Sequence, residues 1–166
     1  MLRKIKIYLY YILARLKGAN LDCTTLVELG VQVNSGLKIG SYGYIGPKSN
    51  FRGDIEIGDF FLCADNVHIV GGDHKFDDIG APISLSGRMP GYFDKTIIGT
   101  DVWVGRNVTI MRGVSIGECC IVAAGSVVTK DLTPGWIYGG VPAKKIKPRF
   151  TEPELQEHLR LIKVEK

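Results

Sequence analysis

The 166-residue chain is long enough for one domain with a real core. With 45% hydrophobic and only 23% charged residues, it is not expected to be disordered. A formal net charge of +4 suits an anionic small ligand as well as a nucleic acid, but the sequence shows no RNA- or DNA-binding motif, and no nucleic-acid partner is expected. Cysteines 23, 63, 119 and 120 show no metal or redox spacing, and adjacent Cys119 and Cys120 make poor disulfide partners, so a reducing cytoplasm is the expected compartment.

The chain begins "MLRKIKIYLYYILARLKGA", and residues 1–20 are predicted to form a basic helix. The apolar run from Ile5 to Ala14 falls far short of the ~20 residues that span a bilayer. Tyr8, Tyr10 and Tyr11, followed by Arg15 and Lys17, argue against a signal peptide. Two readings stay open: a terminal helix packed on the domain, or residues 1–17 lying on the anionic inner face of a membrane.

From Leu21 an aliphatic or small residue returns every six positions, at Val27, Val33, Ile39, Ile45, Phe51, Ile57, Cys63 and Ile69. A second frame runs through Ile98, Val104, Ile110, Ile116, Val122 and Val128. Four places after each marker the residue is usually small or apolar, and glycine follows the marker at 40, 46, 58, 99, 105 and 117. Six is not a helical period; it fits short strands joined by tight turns. Three hexads close a triangular coil of 18 residues, about five coils in all. Markers and i+4 residues fill the prism, and glycines are expected at corners that a Cβ would obstruct. Residues 18 apart should then lie above one another at about 4.8 Å.

After "NVHIVGGDH" the marker expected at 75 appears only at 98, so 75–97 form an excursion of 23 residues. Long loops in compact domains tend to carry function. His74 stands at the break. Stepping back 18 residues reaches Glu56, expected directly beneath it and able to orient its imidazole, while Asp73 adjoins it in sequence. His68, in the hexad before, reads as a surface histidine. The final "TEPELQEHLRLIKVEK" opens on a Thr151…Glu154 capping box, and a helix over 150–166 is expected to close the open end of the prism.

The hexads over 21–149, the His74 region before "IGTDVWVG", and the closing "AAGSVVTKDLTPGWIYGGVPAKKIKPR" together resemble the hexapeptide-repeat acyltransferases, in particular the galactoside, maltose and polysaccharide O-acetyltransferases. The resemblance implies an all-β fold, a left-handed parallel β-helix with N- and C-terminal α-helices. The hand comes from the resemblance alone, since crossover rules favour right-handed connections. It also implies a homotrimer with sites between subunits, and an excursion that reaches a neighbour.

The same resemblance implies acetyl-CoA as acyl donor and His74 as general base toward a saccharide hydroxyl of a polysaccharide unit or its precursor. Donor contacts carried over are Trp103, Arg106, Ala124, Thr129, Lys130, Lys144 and Lys147, whose cationic members suit the phosphates of coenzyme A. Tyr44, Asn50 and Tyr92 are candidate acceptor contacts. Alternatives are xenobiotic O-acetylation of chloramphenicol or a streptogramin, and N-acetylation of an amino sugar. Zinc-binding relatives on this scaffold use three histidines; His68, His74 and His158 do not readily converge, so no metal is expected. A purely structural or ice-binding solenoid would have no use for the excursion.

Overall fold

The structure, a computed structural model, describes residues 11–89 and 94–163. Two- and three-residue strands alternate with tight turns and wind into a left-handed parallel β-helix. In unbroken stretches the parallel partner lies 18 residues away, as for Leu21 and Ile39 or Val27 and Ile45. Strands beginning at Asn20, Leu37, Ile55, Thr96 and Ser115 make the first face of the prism. Those beginning at Leu26, Tyr44, Leu62, Trp103, Ile121 and Trp136 make the second, and those at Gln32, Asn50, His68, Thr109 and Val127 the third.

The coil count exceeds the expected five. Beyond the fifth coil, Leu132 bridges to Ile116 and Trp136–Gly139 pairs with Ile121–Val122, giving a partial sixth. The next marker position falls on Pro134, so the aliphatic period conceals this turn. Lys144–Pro148 then runs antiparallel against Trp136–Gly139 and borders the second face.

The periodicity works through burial. Phe51, Ile45, Val104 and Ile110 are fully buried, and the i+4 residues Thr25, Ser49, Val67 and Val108 join them. Phe51 and Phe61 meet edge to face at 6.2 Å. Each large side chain so buried contributes about 1.5–3 kcal/mol. The small polar i+4 residues are satisfied: Thr25 Oγ1 donates to Gly40 O at 2.7 Å, and Ser49 Oγ accepts from Val67 N at 3.2 Å.

The marker-following glycines serve a different purpose from the one expected. The left-handed corner lies three residues after the marker; glycine holds it at Gly30, Gly113 and Gly125, with φ between 73° and 79°, and Tyr42, Lys48, Phe60, Asn66, Asp101, Asn107 and Cys119 hold it elsewhere, with φ between 54° and 62°. For the residues other than Gly, Asn and Asp this costs about 1–2 kcal/mol each. Glycine is needed where coils stack: a Cβ at Gly46 would sit 2.5 Å from Ala64 C, and one at Gly105 2.6 Å from Ala124 N.

Both ends are tied down. Backbone over 11–16 is helical; Ala14 is buried, and Arg15 Nη1 donates to Leu21 O at 2.8 Å. Over these residues the packed arrangement holds, while residues 1–10 lie outside the described part. No described helix is long and apolar enough to cross a membrane. The C-terminal helix, Glu152–Leu161, has its capping box in place. Its contacts among the described residues run down an edge of the prism. His158 Nε2 lies 2.9 Å from Asp101 Oδ2, which also receives Arg149 Nη1 at 2.9 Å. Arg149 Nη1 reaches Cys119 O at 3.3 Å, and Leu155 is buried against Gly135.

Candidate active site

The chain leaves the third face after Val70 and rejoins the first face at Thr96. His74 lies just past the edge between these faces, with its side chain exposed. Its backbone is held by an antiparallel bridge to Arg88. On either side Met89 N donates to Asp73 O at 3.0 Å and Lys75 N to Gly87 O at 2.9 Å. Arg88 Nη1 donates to Gly72 O at 3.0 Å, and Lys75 pairs with Asp78. The excursion thus begins as a small pinched hairpin that presents an imidazole to solvent from a fixed backbone. Arg88 is a positioning residue the sequence did not reveal, because loop ends that pair out of period leave no spacing signal.

Glu56 does not support His74 in the way the 18-residue step implied. The insertion interrupts the count, so Ile97 occupies the register above Glu56. The Glu56 carboxylate is ion-paired to Lys95, whose hydrogen bond and charge hold its pKa below the usual carboxylate range. Asp73 is the carboxylate adjoining His74 in sequence, and it is exposed.

The expected donor residues divide into two groups. Trp103 lies on the second face, 47% exposed, in an outward column with Leu26, Tyr44, Leu62, Ile121 and Ile137. Lys144 and Lys147 are on the exposed antiparallel strand beside the end of that column, where Lys145 covers the Trp136 ring at 4.2 Å. Arg106 and Ala124 stack at the edge between the second and third faces, with Gly125 N donating to Arg106 O at 2.8 Å. Arg106 Nε also meets Asp65 Oδ1 at 2.6 Å. Thr129 and Lys130 follow Val127–Val128 on the other side of the third face, toward the His74 edge. Within one chain, therefore, the third face separates Trp103, Arg106 and Ala124 from His74.

Tyr44 is on the second face, with its hydroxyl 3.5 Å from Glu28 Oε1. Asn50 is on the third face beneath His68. Tyr92 lies outside the described residues. His68 is a strand residue of the third face, half-buried, with Nε2 2.9 Å from Asn66 Oδ1.

The three histidines stand in three different surroundings. His158 shares its place with Asp101 and Cys119, whose donor atoms lie within 4.8 Å of one another. Arg149 already neutralises Asp101, while burial and the Asp101 charge push the Cys119 thiol up to about 12. With His158 and Arg149 both on its carboxylate, Asp101 ties the C-terminal segment to the coils.

The family model described as bacterial transferase hexapeptide (six repeats) matches residues 95–130. A probable macrolide acetyltransferase of Lysinibacillus sphaericus is 39% identical over 134 residues, covering 72% of this chain and 71% of that protein. The maltose O-acetyltransferase of Clostridium difficile 630 superposes with a TM-score of 0.62 at 27% identity, over 90% of this chain and 89% of the other. A hexapeptide-repeat acetyltransferase of Vibrio cholerae, solved with acetyl-CoA, gives 0.70 at 25% identity over 86% and 76%.

Proposed function

The chain belongs to the hexapeptide-repeat acetyltransferases, and from that membership we propose that it moves the acetyl group of acetyl-CoA to a saccharide hydroxyl with His74 as general base. The observation that carries this is the fixed, solvent-open imidazole at the single break in the repeat. A sugar hydroxyl is too weak an acid to ionise near neutrality, but a neutral imidazole accepts its proton as the oxygen attacks. The new C–O bond forms at the thioester carbonyl, whose oxygen takes the negative charge. Collapse of that intermediate breaks the C–S bond. The departing thiolate, of reference pKa ~8.5, recovers the proton from His74. No acyl-enzyme is required.

The site is completed by a second copy of the chain in a cyclic trimer. Two observations favour this. Trp103, Arg106 and Ala124 are separated from His74 within one chain. The excursion and second face also leave large apolar side chains in solvent, including Phe76 (66%), Ile79 (104%) and Leu85 (81%), a pattern typical of interaction surfaces. Lys144 and Lys147 then serve the phosphates of coenzyme A. We assign the protein to the cytoplasm; vesicle co-sedimentation with and without residues 1–17 tests contact with the inner membrane face.

A second acceptor class is favoured by the macrolide-acetyltransferase relative: a hydroxyl on an antibiotic. Thiol release from acetyl-CoA with a panel of sugars, nucleotide sugars, amino sugars, chloramphenicol, streptogramins and macrolides separates the readings. Acetylation of saccharides supports the first, and acetylation restricted to antibiotics replaces it with the second. Absence of thiol release with every acceptor removes both.

A further inference from the structure

The edge at which the chain leaves the third face also carries an open hollow of about 770 Å³, within the usual range of ligand sites, about 300–1,000 Å³. Lys17, Gln32, Arg52, Gly53, Asp54 and Arg112 are among the residues that line it. Three cations there stand against one carboxylate, so the hollow favours an anion. Arg112 is placed by the stacking of the coils. It follows the strand Thr109–Met111, and its N donates to Val70 O at 2.6 Å, which sets it beside Gly71. A Cβ on Gly71 would lie 2.4 Å from Arg112 Cβ, and one on Gly53 would lie 3.1 Å from Arg112 Nε and 3.3 Å from Cζ. The side chain therefore runs down the edge over two bare glycines and brings its guanidinium to Gly53, one coil below Gly71. Arg52 adjoins Gly53 in sequence. Its Nη2 donates to Gln32 Oε1 at 3.1 Å, one of the five N–H donors that a guanidinium carries.

We propose that this hollow holds an anionic oxygen group, phosphate or carboxylate, of the acetyl acceptor, with Arg52 and Arg112 as its partners. This rests on the reading of the protein as an acetyltransferase of saccharides and deepens it: the acceptor is a phosphorylated or acidic sugar rather than a neutral one. The flat fork of a guanidinium matches the paired oxygens of either group. Gly53 lies one strand spacing, about 4.8 Å, beneath Gly71. Three residues, at most about 10 Å of chain, then separate Gly71 from His74. The charged group and the reacting hydroxyl thus belong to one sugar or to two neighbouring ones.

The test uses the full chain in titration calorimetry without acetyl-CoA, with glucose 1-phosphate, glucuronate and maltose as probes. The expected result is binding of glucose 1-phosphate or glucuronate that weakens as salt rises, with maltose bound at least about tenfold more weakly, the scale of one charge-assisted hydrogen bond. Preference between the two charged probes tells phosphate from carboxylate. Arg52→Gln should weaken the preferred probe about tenfold on the same scale, and Arg112→Gln at least as much. Arg52→Lys, which keeps the charge without the fork, regains part of the loss. Maltose bound as tightly as the charged probes, no binding of either charged probe, or an unchanged affinity in Arg52→Gln overturns the proposal. In turnover, a rise in KM confined to acetyl-CoA in Arg52→Gln would give the hollow to coenzyme A and overturn it too. If Arg112→Gln does not fold, the Arg52 variants decide. Should a charged probe bind through Arg52 while no acceptor releases thiol from acetyl-CoA, the catalytic reading fails and the anion site stands. Acetylation of maltose with neither charged probe bound removes the site and keeps the catalytic reading.

Discussion

In the stacked coils Phe51 is wholly buried, while Phe76, in the excursion, leaves 66% of its surface in solvent. The contrast extends to both regions. Coil strands repeat one pattern of inward residues, whereas none of residues 75–89 is buried. Between Asp73 and Met89 the loop is pinned mainly by backbone pairing at its base. The prism gains its stability from apolar side chains that have no chemistry to perform. The excursion contributes little to that core and holds at its base the imidazole proposed as general base; on that proposal folding and activity are separated within one chain.

Substitutions on the two sides of this divide should report in different measurements. Phe51→Ala opens a cavity among Phe61 and its neighbours and should lower stability by about 3–5 kcal/mol, read as a fall in denaturant midpoint. A loss below ~1 kcal/mol would mean that the coils relax around the void. Next in size, His74→Ala should reduce turnover by at least ~100-fold, the scale of a general base. Its unfolding midpoint should not change, since the exposed side chain supports no packing. A normal rate would take His74 out of the reaction, and a shifted midpoint would erase the division between the regions. Smaller again is Lys144→Glu. Reversing one charge beside the end of the second face should raise the KM for acetyl-CoA several-fold and leave kcat near its original value. An unchanged KM would send the donor phosphates elsewhere.

The prism was legible because its physics is local and repetitive. A small or apolar residue every six positions fixes which side chains face inward, as for Leu21 or Val122. The excursion was visible only as an interruption. Its pinch between His74 and Arg88 is a pairing between residues with no period relating them. The glycine bed of Arg112 was hidden for a related reason. Gly71 and Arg112 lie on opposite sides of the insertion, and only the stacking of coils across it brings them together. The antiparallel strand Lys144–Pro148 likewise reads from sequence as a run of lysines, because all of its residues are exposed and no alternation marks it.

Glu56 gives the finest test of where one region ends. Counting by 18 joined it to His74, a step valid only while the chain stays on the prism. Ile97 now holds that register, and Lys95, the last residue before the returning strand, holds the carboxylate. Lys95 keeps the folded-state pKa of Glu56 below its ordinary value. Any stability from the pair is therefore present near neutrality and lost only as falling pH protonates the carboxylate. The pair is exposed, so salt should weaken even that contribution. Glu56→Gln should accordingly leave both the rate and the pH-rate profile close to those of the unaltered protein. A loss approaching that of His74→Ala, with the acidic limb of the profile displaced, would show that Glu56 orients the imidazole after all, through an arrangement reached only when substrate is bound.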